Sequence, residues 1–281
     1  HRLDPQQRAA GRLSLTVRDN AFGGLSEVRV EACVRDGRTR VRHASFTAPF
    51  KLLPPFQEDG FARQMILSAS AGIMAGDRQH IEVAADPGAR LIVTSQAFEK
   101  VHKMDGRHAE RHAVLHAADG AFLQYEPLPV IPFAGSDFRS RTDVYLETGS
   151  RFVFSEILCC GRAARGERFE YRRFRNLVRV YRSGMPVYID NTDFIPSRDE
   201  MEGPGMFEGF THAGTALFFG FDSEQLLAEF RQLFESAGGC ECAVTRTASG
   251  DIAVRLFGYT ADKLQRMIAE ASRIAGDQLK M

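Results

Sequence analysis

Two carboxylates near an apolar run offer this chain its clearest chemistry. Glu156 lies inside an apolar segment, and Glu167 follows shortly after Gly161 and Arg162. An ionised carboxylate in a buried strand is costly unless it is paired with a cation or serves a function. Glu156 is therefore predicted either to form a buried ion pair, with Arg162 as the available partner, or to carry a function.

Two further acids stand where the chain turns or leaves a strand. Asp77 follows two glycines, Gly72 and Gly76, which permit tight turns, and the segment lacks the glycine pattern of a dinucleotide-binding loop. Glu99, in the polar segment from Ser95 to Lys100, comes directly after an apolar run. The alternative roles are structural: an aspartate bonded to its own loop, and a weak, exposed ion pair at a strand exit.

Histidine and cysteine residues provide weaker candidates for a metal site. His108, His112 and His116 are four residues apart, a spacing that puts them on one face of a helix or of a strand. They are predicted either to bind nickel, copper or zinc through three imidazoles or to be exposed histidines beside a turn. Cys240 and Cys242 would face the same side of a strand, but a thiolate site needs further ligands that the sequence does not identify.

Composition and charge exclude several classes of protein. The 281 residues are 44% hydrophobic and 26% charged, and 36 basic residues balance 36 acidic ones. Such a chain is globular and has no general attraction to nucleic acid or to an anionic membrane. One arginine-rich segment, residues 162–182, leaves three alternatives: a nucleic-acid site, a solvated strand face, or a surface for an acidic protein.

The sequence lacks several motifs that would indicate catalysis, redox chemistry or membrane targeting. The sequence has no phosphate-binding loop, no GxSxG motif, no CxxC pair and no apolar run of 18 residues, and its five cysteines have no regular spacing. We therefore expect no enzyme, no membrane anchor and no disulfide framework, and a cytoplasmic protein. A carbohydrate hydrolase with two carboxylates among Asp77, Glu156 and Glu167 is kept as the alternative enzyme.

Short strands are expected to position these side chains over most of the chain. Alternation of apolar and polar residues predicts strands near residues 13–17, 28–34, 64–67, 81–84, 91–94, 113–116 and 122–125. Turn signals such as Asp86–Gly88 and Ala118–Gly120 separate them. The proline-rich segments 49–56 and 126–133 should be edge or crossover segments, because proline donates no ladder hydrogen bond. No internal repeat is evident.

The C-terminal part changes from strand to mixed character. Helical spacing predicts one helix that starts at Asp222 and stops at Gly238, and a second that Thr260 caps. Between them, residues 240–247 and 252–257 alternate like a hairpin. We expect one domain over residues 1–281, with residues 1–10 flexible and residues 222–281 forming an α+β part packed on a β body.

Taken together, the ordered motifs resemble the urease accessory protein family UreD, also called UreH. The resemblance covers about residues 45 to 215, and no single motif in it is diagnostic. The matching segments are Thr47–Leu52, Gly72–Asp77, Pro87–Ala89, Thr94–Lys100, Glu126–Phe133, Ser155–Glu156, Gly161–Arg162, Gly166–Glu167, Asp190–Thr192 and Phe207–His212.

The resemblance implies a fold and a function. The implied fold is mainly β, with stacked β-helix-like sheets and two helices near the C-terminus. The implied role is a non-enzymatic scaffold and metallochaperone that binds UreF directly and the GTPase UreG through UreF, and docks on apo-urease to load nickel. No tightly bound cofactor is implied, only transient nickel.

A nickel passage through the β body is the hypothesis that joins these observations. Asp77, Glu99, Glu156 and Glu167 would line it, supported by Ser95, Lys100, Gly161 and Arg162. Oxygen ligands hold nickel less tightly than clustered imidazole or thiolate, which suits transfer. The rival accounts are fixed ion pairs with nearby arginines, and a protein-binding module without metal transfer.

Overall fold

The computed structural model describes residues 15–18 and 24–279. Within these residues the chain forms nineteen strands and two α-helices. In chain order they are β1 (Leu15–Arg18), β2 (Leu25–Arg35), β3 (Arg38–Thr47), β4 (Phe50–Leu52), β5 (Phe56–Glu58), β6 (Phe61–Ser68), β7 (Arg78–Ala85), β8 (Arg90–Gln96), β9 (Glu99–Val101), β10 (Ala109–Ala117), β11 (Phe122–Glu126), β12 (Val130–Pro132), β13 (Asp137–Leu146), β14 (Arg151–Cys159), β15 (Arg173–Arg182), β16 (Met185–Phe194), β17 (His212–Phe219), α1 (Ser223–Glu235), β18 (Cys240–Arg246), β19 (Ile252–Gly258) and α2 (Ala261–Asp277).

Two stacked sheets build the body within the described residues. Sheet A has the strand order β1-β3-β2-β7-β10-β13-β15-β16, and sheet B has β18-β19-β17-β14-β11-β8-β6-β4. Strands β2, β7, β10, β13 and β15 run parallel in sheet A, as do β6, β8, β11 and β14 in sheet B. The chain alternates between the sheets as it advances, so the mainly β, stacked β-helix-like fold with two helices is confirmed.

Three similar turns carry the chain from sheet A to sheet B. Gly88, Gly120 and Gly149 have φ angles of 70°, 64° and 74°, in the left-handed region that favours glycine. Neighbouring turns are hydrogen-bonded, since Gly88 N donates to the Asp119 carbonyl at 3.1 Å. This repetition lies in the backbone geometry, which explains why the sequence shows no evident repeat.

An apolar core fills the space between the sheets. Inward-facing residues at one register position cross sheet A and are fully buried. They are Val30, Val83, Leu115, Val144 and Val180. Large aromatic side chains from sheet B, such as Phe152 and Phe154, pack against this core. Period-2 alternation thus produces a buried layer from each strand.

Both predicted helices and the predicted hairpin are confirmed. Asp222 caps α1 by accepting hydrogen bonds from the amides of Glu224 and Gln225. Thr260 caps α2 by accepting from Lys263 N at 3.3 Å. The helices pack on the outer face of sheet B, and β18 and β19 form the antiparallel hairpin between them.

The proline-rich segments also behave as predicted, while the domain prediction is not tested. Strand β4 lies at the edge of sheet B, and β12 pairs outside the main strand path. The prediction of one domain over residues 1–281 stays a prediction, and its segment 1–10 lies outside the described residues. In the described part of the chain, neither helix has the length and apolar composition that a membrane crossing requires.

Candidate functional site

A row of polar side chains crosses the interior of sheet A beside the apolar core. Its members share one register position on adjacent strands. They are Ser26, Gln79, Arg111, Ser140, Asn176 and Thr192. Gln79, Arg111 and Asn176 are buried. Buried polar groups at this density require partners, so the row marks a place where the fold departs from an apolar core.

Glu99 meets this row at Arg111. The Arg111 guanidinium donates to the Glu99 carboxylate through Nη1, and to Gln79 Oε1 through Nε at 3.0 Å and Nη2 at 2.6 Å. The side chains of Arg111 and Glu99 are 8% and 15% exposed. Burial lowers the pKa of Arg111, but the charges of Glu99 and Tyr125 and the hydrogen bond to Glu99 together outweigh burial and leave that pKa raised.

Glu156 meets the same row at Asn176. The Asn176 Nδ2 group donates to both carboxylate oxygens, at 2.6 and 2.7 Å, while the buried Asn176 Oδ1 has no hydrogen-bond partner. Burial, and then the charge of Asp190, raise the pKa of Glu156 to about 7, although Arg255 and Asn176 lower it. The proposed ion pair of Glu156 with Arg162 does not form, because Arg162 pairs with Glu167 instead.

Arg255 bridges the two sheets next to Glu156. On sheet B, Thr215 stands between Glu156 and Arg255 in the strand register. The Arg255 guanidinium donates to Thr215 Oγ1, to the Tyr188 hydroxyl at 3.2 Å and to the Asp190 carboxylate at 2.5 Å. Because the Arg255 side chain is 44% exposed, this bridge lies at the solvent side of the site.

Three adjoining cavities connect these groups. We call them the wide, narrow and loop cavities, with volumes of about 310, 30 and 110 Å³. Glu156 and Asn176 line both the wide and the narrow cavity. Glu99 and Arg111 line both the narrow and the loop cavity. The three cavities therefore form a line of neighbours, and two carboxylates lie where neighbouring cavities share lining residues.

The loop cavity includes several residues that the sequence singled out. Ser95 and Lys100 line it together with Glu99. Ser95 Oγ accepts a hydrogen bond from Leu128 N at 2.8 Å, so it anchors the proline-rich segment. Gly72 also lines the cavity, and a Cβ there would collide with the Lys100 carbonyl.

Asp77 and Glu167, both within the described residues, lie outside the linings of these three cavities. Asp77 accepts a hydrogen bond from Met74 N at 2.8 Å, as expected of an aspartate bonded to its own loop. The three acids of the alternative hydrolase therefore do not share one of these cavities, since only Glu156 lines them.

Glu167 forms a fixed ion pair. It accepts from the Arg162 guanidinium and from Ala134 N at 2.8 Å. Burial alone would raise the pKa of Glu167, but the hydrogen bonds from Arg162 and Ala134 outweigh it and lower that pKa. Arg162 also lies 4.3 Å above the ring of Phe133, and Gly161 allows Glu167 to approach, since a Cβ there would be 2.8 Å from the Glu167 carbonyl oxygen.

The three histidines do not converge. His112 and His116 lie on β10, where four residues span about 13 Å, too far for one metal ion. His108 contacts Glu110, His112 contacts Asp143, and the ring of His116 stacks on that of a tyrosine. Among the described residues, no three His, Cys, Asp or Glu side chains are grouped to hold a metal.

Most of the arginine-rich segment 162–182 is neutralised by acids. Six of its eight arginines form ion pairs, with acids on neighbouring strands and loops. The single carboxylate of Asp143 accepts hydrogen bonds from Arg179, Arg141 and His112. The pattern fits a solvated strand face better than a free cationic surface.

Sequence reasoning missed Arg111, Asn176 and Arg255, which complete the site. Arg111 had a local signal, because it occupies an inward position of β10 between Ala109 and Ala113. Asn176 had the same signal in β15, where Phe174 and Val178 also face inward.

A family profile and individual relatives of known name all match this chain under the same family description. The sequence profile of the UreD urease accessory protein family matches residues 25–280. The urease accessory protein UreD of Acetivibrio thermocellus is 38% identical over 252 residues, which cover 89% of this chain and 96% of the relative. The urease accessory protein UreH of Helicobacter pylori strain G27 is 32% identical over 257 residues, or 91% of this chain and 96% of the relative.

Proposed function

This chain belongs to the UreD urease accessory protein family, and from that premise we propose that it acts in urease maturation as a non-enzymatic scaffold that helps nickel reach apo-urease. In this proposal it binds UreF directly and the GTPase UreG through UreF, and the complex docks on apo-urease. Nickel is cargo and not a resident cofactor. The proposed compartment is the cytoplasm, where the free cysteines of the described chain would stay reduced.

The line of three cavities is the observation that supports a nickel passage. Glu156 stands at the junction of the wide and narrow cavities, and Glu99 at the junction of the narrow and loop cavities. We propose these two acids as the passage residues. Asp77 and Glu167 are proposed to hold the adjoining loops, because a backbone amide and a guanidinium already occupy their carboxylates.

The donor set of the wide cavity suits brief contact with a divalent cation. Glu156 supplies a carboxylate, and Asn176, whose buried Oδ1 has no hydrogen-bond partner, lines the same cavity. The side chains of Thr192 and Thr215 add hydroxyls. Such oxygen donors bind nickel less tightly than imidazole or thiolate, so an ion can leave again.

Two guanidiniums, one beside Glu99 and one near Glu156, would keep a cation from staying. Arg111 separates the narrow cavity from the loop cavity, and Arg255 lies at the exposed side of the wide cavity. Each already neutralises an acid, Glu99 and Asp190 respectively. A nickel ion that displaced either guanidinium would meet a like charge nearby, which opposes tight retention.

Co-expression with urease and its other accessory proteins tests the passage. In E156Q the carboxylate is lost while the side-chain volume is kept, so the nickel content of purified urease should fall strongly. E126Q is the matched control, because Glu126 is also a half-buried acid of sheet B but lies beside α2. Normal nickel loading with E156Q would remove Glu156 from the mechanism.

A pull-down with UreF separates transfer from assembly. E156Q should still bind UreF, since Glu156 lies between the sheets. If E156Q lost UreF as well as nickel loading, the effect would lie in complex formation. Unchanged loading in all passage variants, with UreF still bound, would favour the protein-binding module without metal transfer.

A further inference from the structure

Three sulfur atoms meet on the helix side of sheet B. Cys240 and Cys242 lie on β18, the terminal strand of that sheet, with their Sγ atoms 3.8 Å apart. The Cys240 Sγ lies 3.2 Å from the Sδ of Met267 on α2. The sequence placed both cysteines on one face of a strand, and the fold brings a third sulfur beside them.

The three sulfur-containing residues differ in their exposure to solvent. Cys240 and Cys242 are half-buried, so an ion can approach them from solvent, whereas Met267 is only 6% exposed and lies behind them. The group is separate from the cavities between the sheets. None of Cys240, Cys242 and Met267 lines the wide, narrow or loop cavity.

Ligand type and number favour one class of metal ion. Thiolate and thioether sulfurs are soft ligands that select Cu(I). Structural zinc sites use four ligands, and within the described residues no third His, Cys, Asp or Glu joins the two cysteines. With metal–sulfur bonds of about 2.3 Å, three sulfurs around one ion lie about 4 Å apart. The cysteine pair is already near that separation, and the flexible Met267 side chain can adjust.

We propose that Cys240, Cys242 and Met267 form a Cu(I)-binding site, distinct from the proposed nickel passage. On binding, each thiol releases its proton to solvent, two copper–thiolate bonds and one copper–thioether bond form, and copper remains in the +1 state. The bound group carries one negative charge. Lys263, one turn before Met267 on α2, acts electrostatically on Cys242 and offsets that charge.

Competition for Cu(I) between the reduced full-length protein and the chromogenic chelator bicinchoninate, without oxygen, tests the site. The protein should take up one Cu(I) per chain. C240S and C242S should weaken binding by more than about 100-fold, because loss of a thiolate ligand should exceed the roughly 10- to 100-fold loss typical of outer-shell changes. M267L should weaken it by about 10-fold, since a thioether is the weaker ligand. C33S removes another half-buried free thiol, on β2, and should bind like the unaltered chain.

Several outcomes would overturn the site. They are failure of the unaltered protein to hold Cu(I) against the chelator, an equal loss in C33S and C240S, or a Cys240–Cys242 disulfide as the only chemistry found. If the serine variants do not fold, X-ray absorption of the copper-loaded unaltered protein decides: three sulfur neighbours support the site, and nitrogen or oxygen neighbours overturn it. C240S should load nickel into urease normally, and a loss there would contradict the separation of the two sites.

Discussion

The side-chain amide of Asn176 donates to both oxygens of the Glu156 carboxylate, yet its own carbonyl oxygen is buried without a partner. This arrangement gives the ionised carboxylate of Glu156 a hydrogen-bond donor, while the carbonyl oxygen of Asn176 accepts no hydrogen bond. An unpartnered buried carbonyl is destabilising, by roughly 1 to 3 kcal/mol. The pair therefore departs from what stability alone would select, as functional sites commonly do.

E156Q is predicted to stabilise the fold at neutral and alkaline pH. A glutamine amide can accept from Asn176 Nδ2 and donate to the unpartnered Asn176 Oδ1, and it removes a buried charge. Burial and then Asp190 raise the pKa of Glu156 from 4.5 to about 7, so ionising it in the fold costs up to about 3 kcal/mol. Urea unfolding of both proteins measures the difference.

The pH dependence of that difference follows from the raised pKa. The stability that Glu156 contributes is fully present below its unfolded pKa of about 4.5 and is lost as the pH rises through about 7. The advantage of E156Q should therefore grow between pH 5 and pH 8, in the range set by these two values. A less stable E156Q at pH 8 would contradict this account of the pair.

E167Q is predicted to have the opposite profile. It removes the charge that holds Arg162 but keeps an oxygen for Ala134 N, so the free energy of unfolding should fall by about 1 to 2 kcal/mol at pH 7. Because the pKa of Glu167 is lowered, its contribution is present above about 4.5 and is lost as the pH falls through the folded value. The gap between E167Q and the unaltered protein should then close in acid.

Nickel loading distinguishes this structural role from a passage role. When loading is corrected for the amount of folded protein, E167Q should match the unaltered chain. A selective loss of nickel with normal stability would return Glu167 to the passage.

Local patterns in the sequence predict the elements well, because they depend on nearby residues alone. The caps Asp222 and Thr260, and the alternation of strands such as β2, are examples. The partner of Glu156 could not be predicted in this way. Arg162 is closer in sequence, but Asn176 lies across the interior from Glu156, since β14 and β15 belong to different sheets.

The cavities could not be predicted from the sequence either, because they depend on the lateral register of strands that are far apart in the chain. The role of a polar residue such as Arg111 can be recognised only when the strand register places Gln79 and Ser140 beside it. The local pattern thus placed Glu156 inside a strand, while the surroundings of Asp77 and Glu167 required the packing of their loops to be known.

G72A is predicted to disrupt the loop cavity. Gly72 has φ of 147°, and an added Cβ would meet the Lys100 carbonyl and lie 2.8 Å from His102 Cδ2. Backbone strain and this collision together should cost about 3 kcal/mol or more. Thermal unfolding provides the measurement.

Gly106 is the matched control for this substitution. It also has a positive φ, 75°, but an added Cβ would meet nothing within 4 Å. G106A should cost only the backbone preference of about 1 to 2 kcal/mol. Equal losses in G72A and G106A would show that the close approach of Gly72 to Lys100 is unimportant.

S140L tests the passage without altering any charge. Ser140 faces the narrow cavity between Arg111 and Asn176, and a leucine there would fill a space of about 30 Å³. Overpacking should lower the free energy of unfolding by about 1 to 3 kcal/mol, which leaves a folded protein. Nickel loading of urease should nevertheless fall to a small fraction of normal, while UreF is still bound. S140A keeps the cavity open and should load nickel normally, so a loss in S140L alone reports on the space and not on the hydroxyl. If S140L delivers nickel as well as S140A does, ions do not travel between these sheets, and the two acids must act in another way.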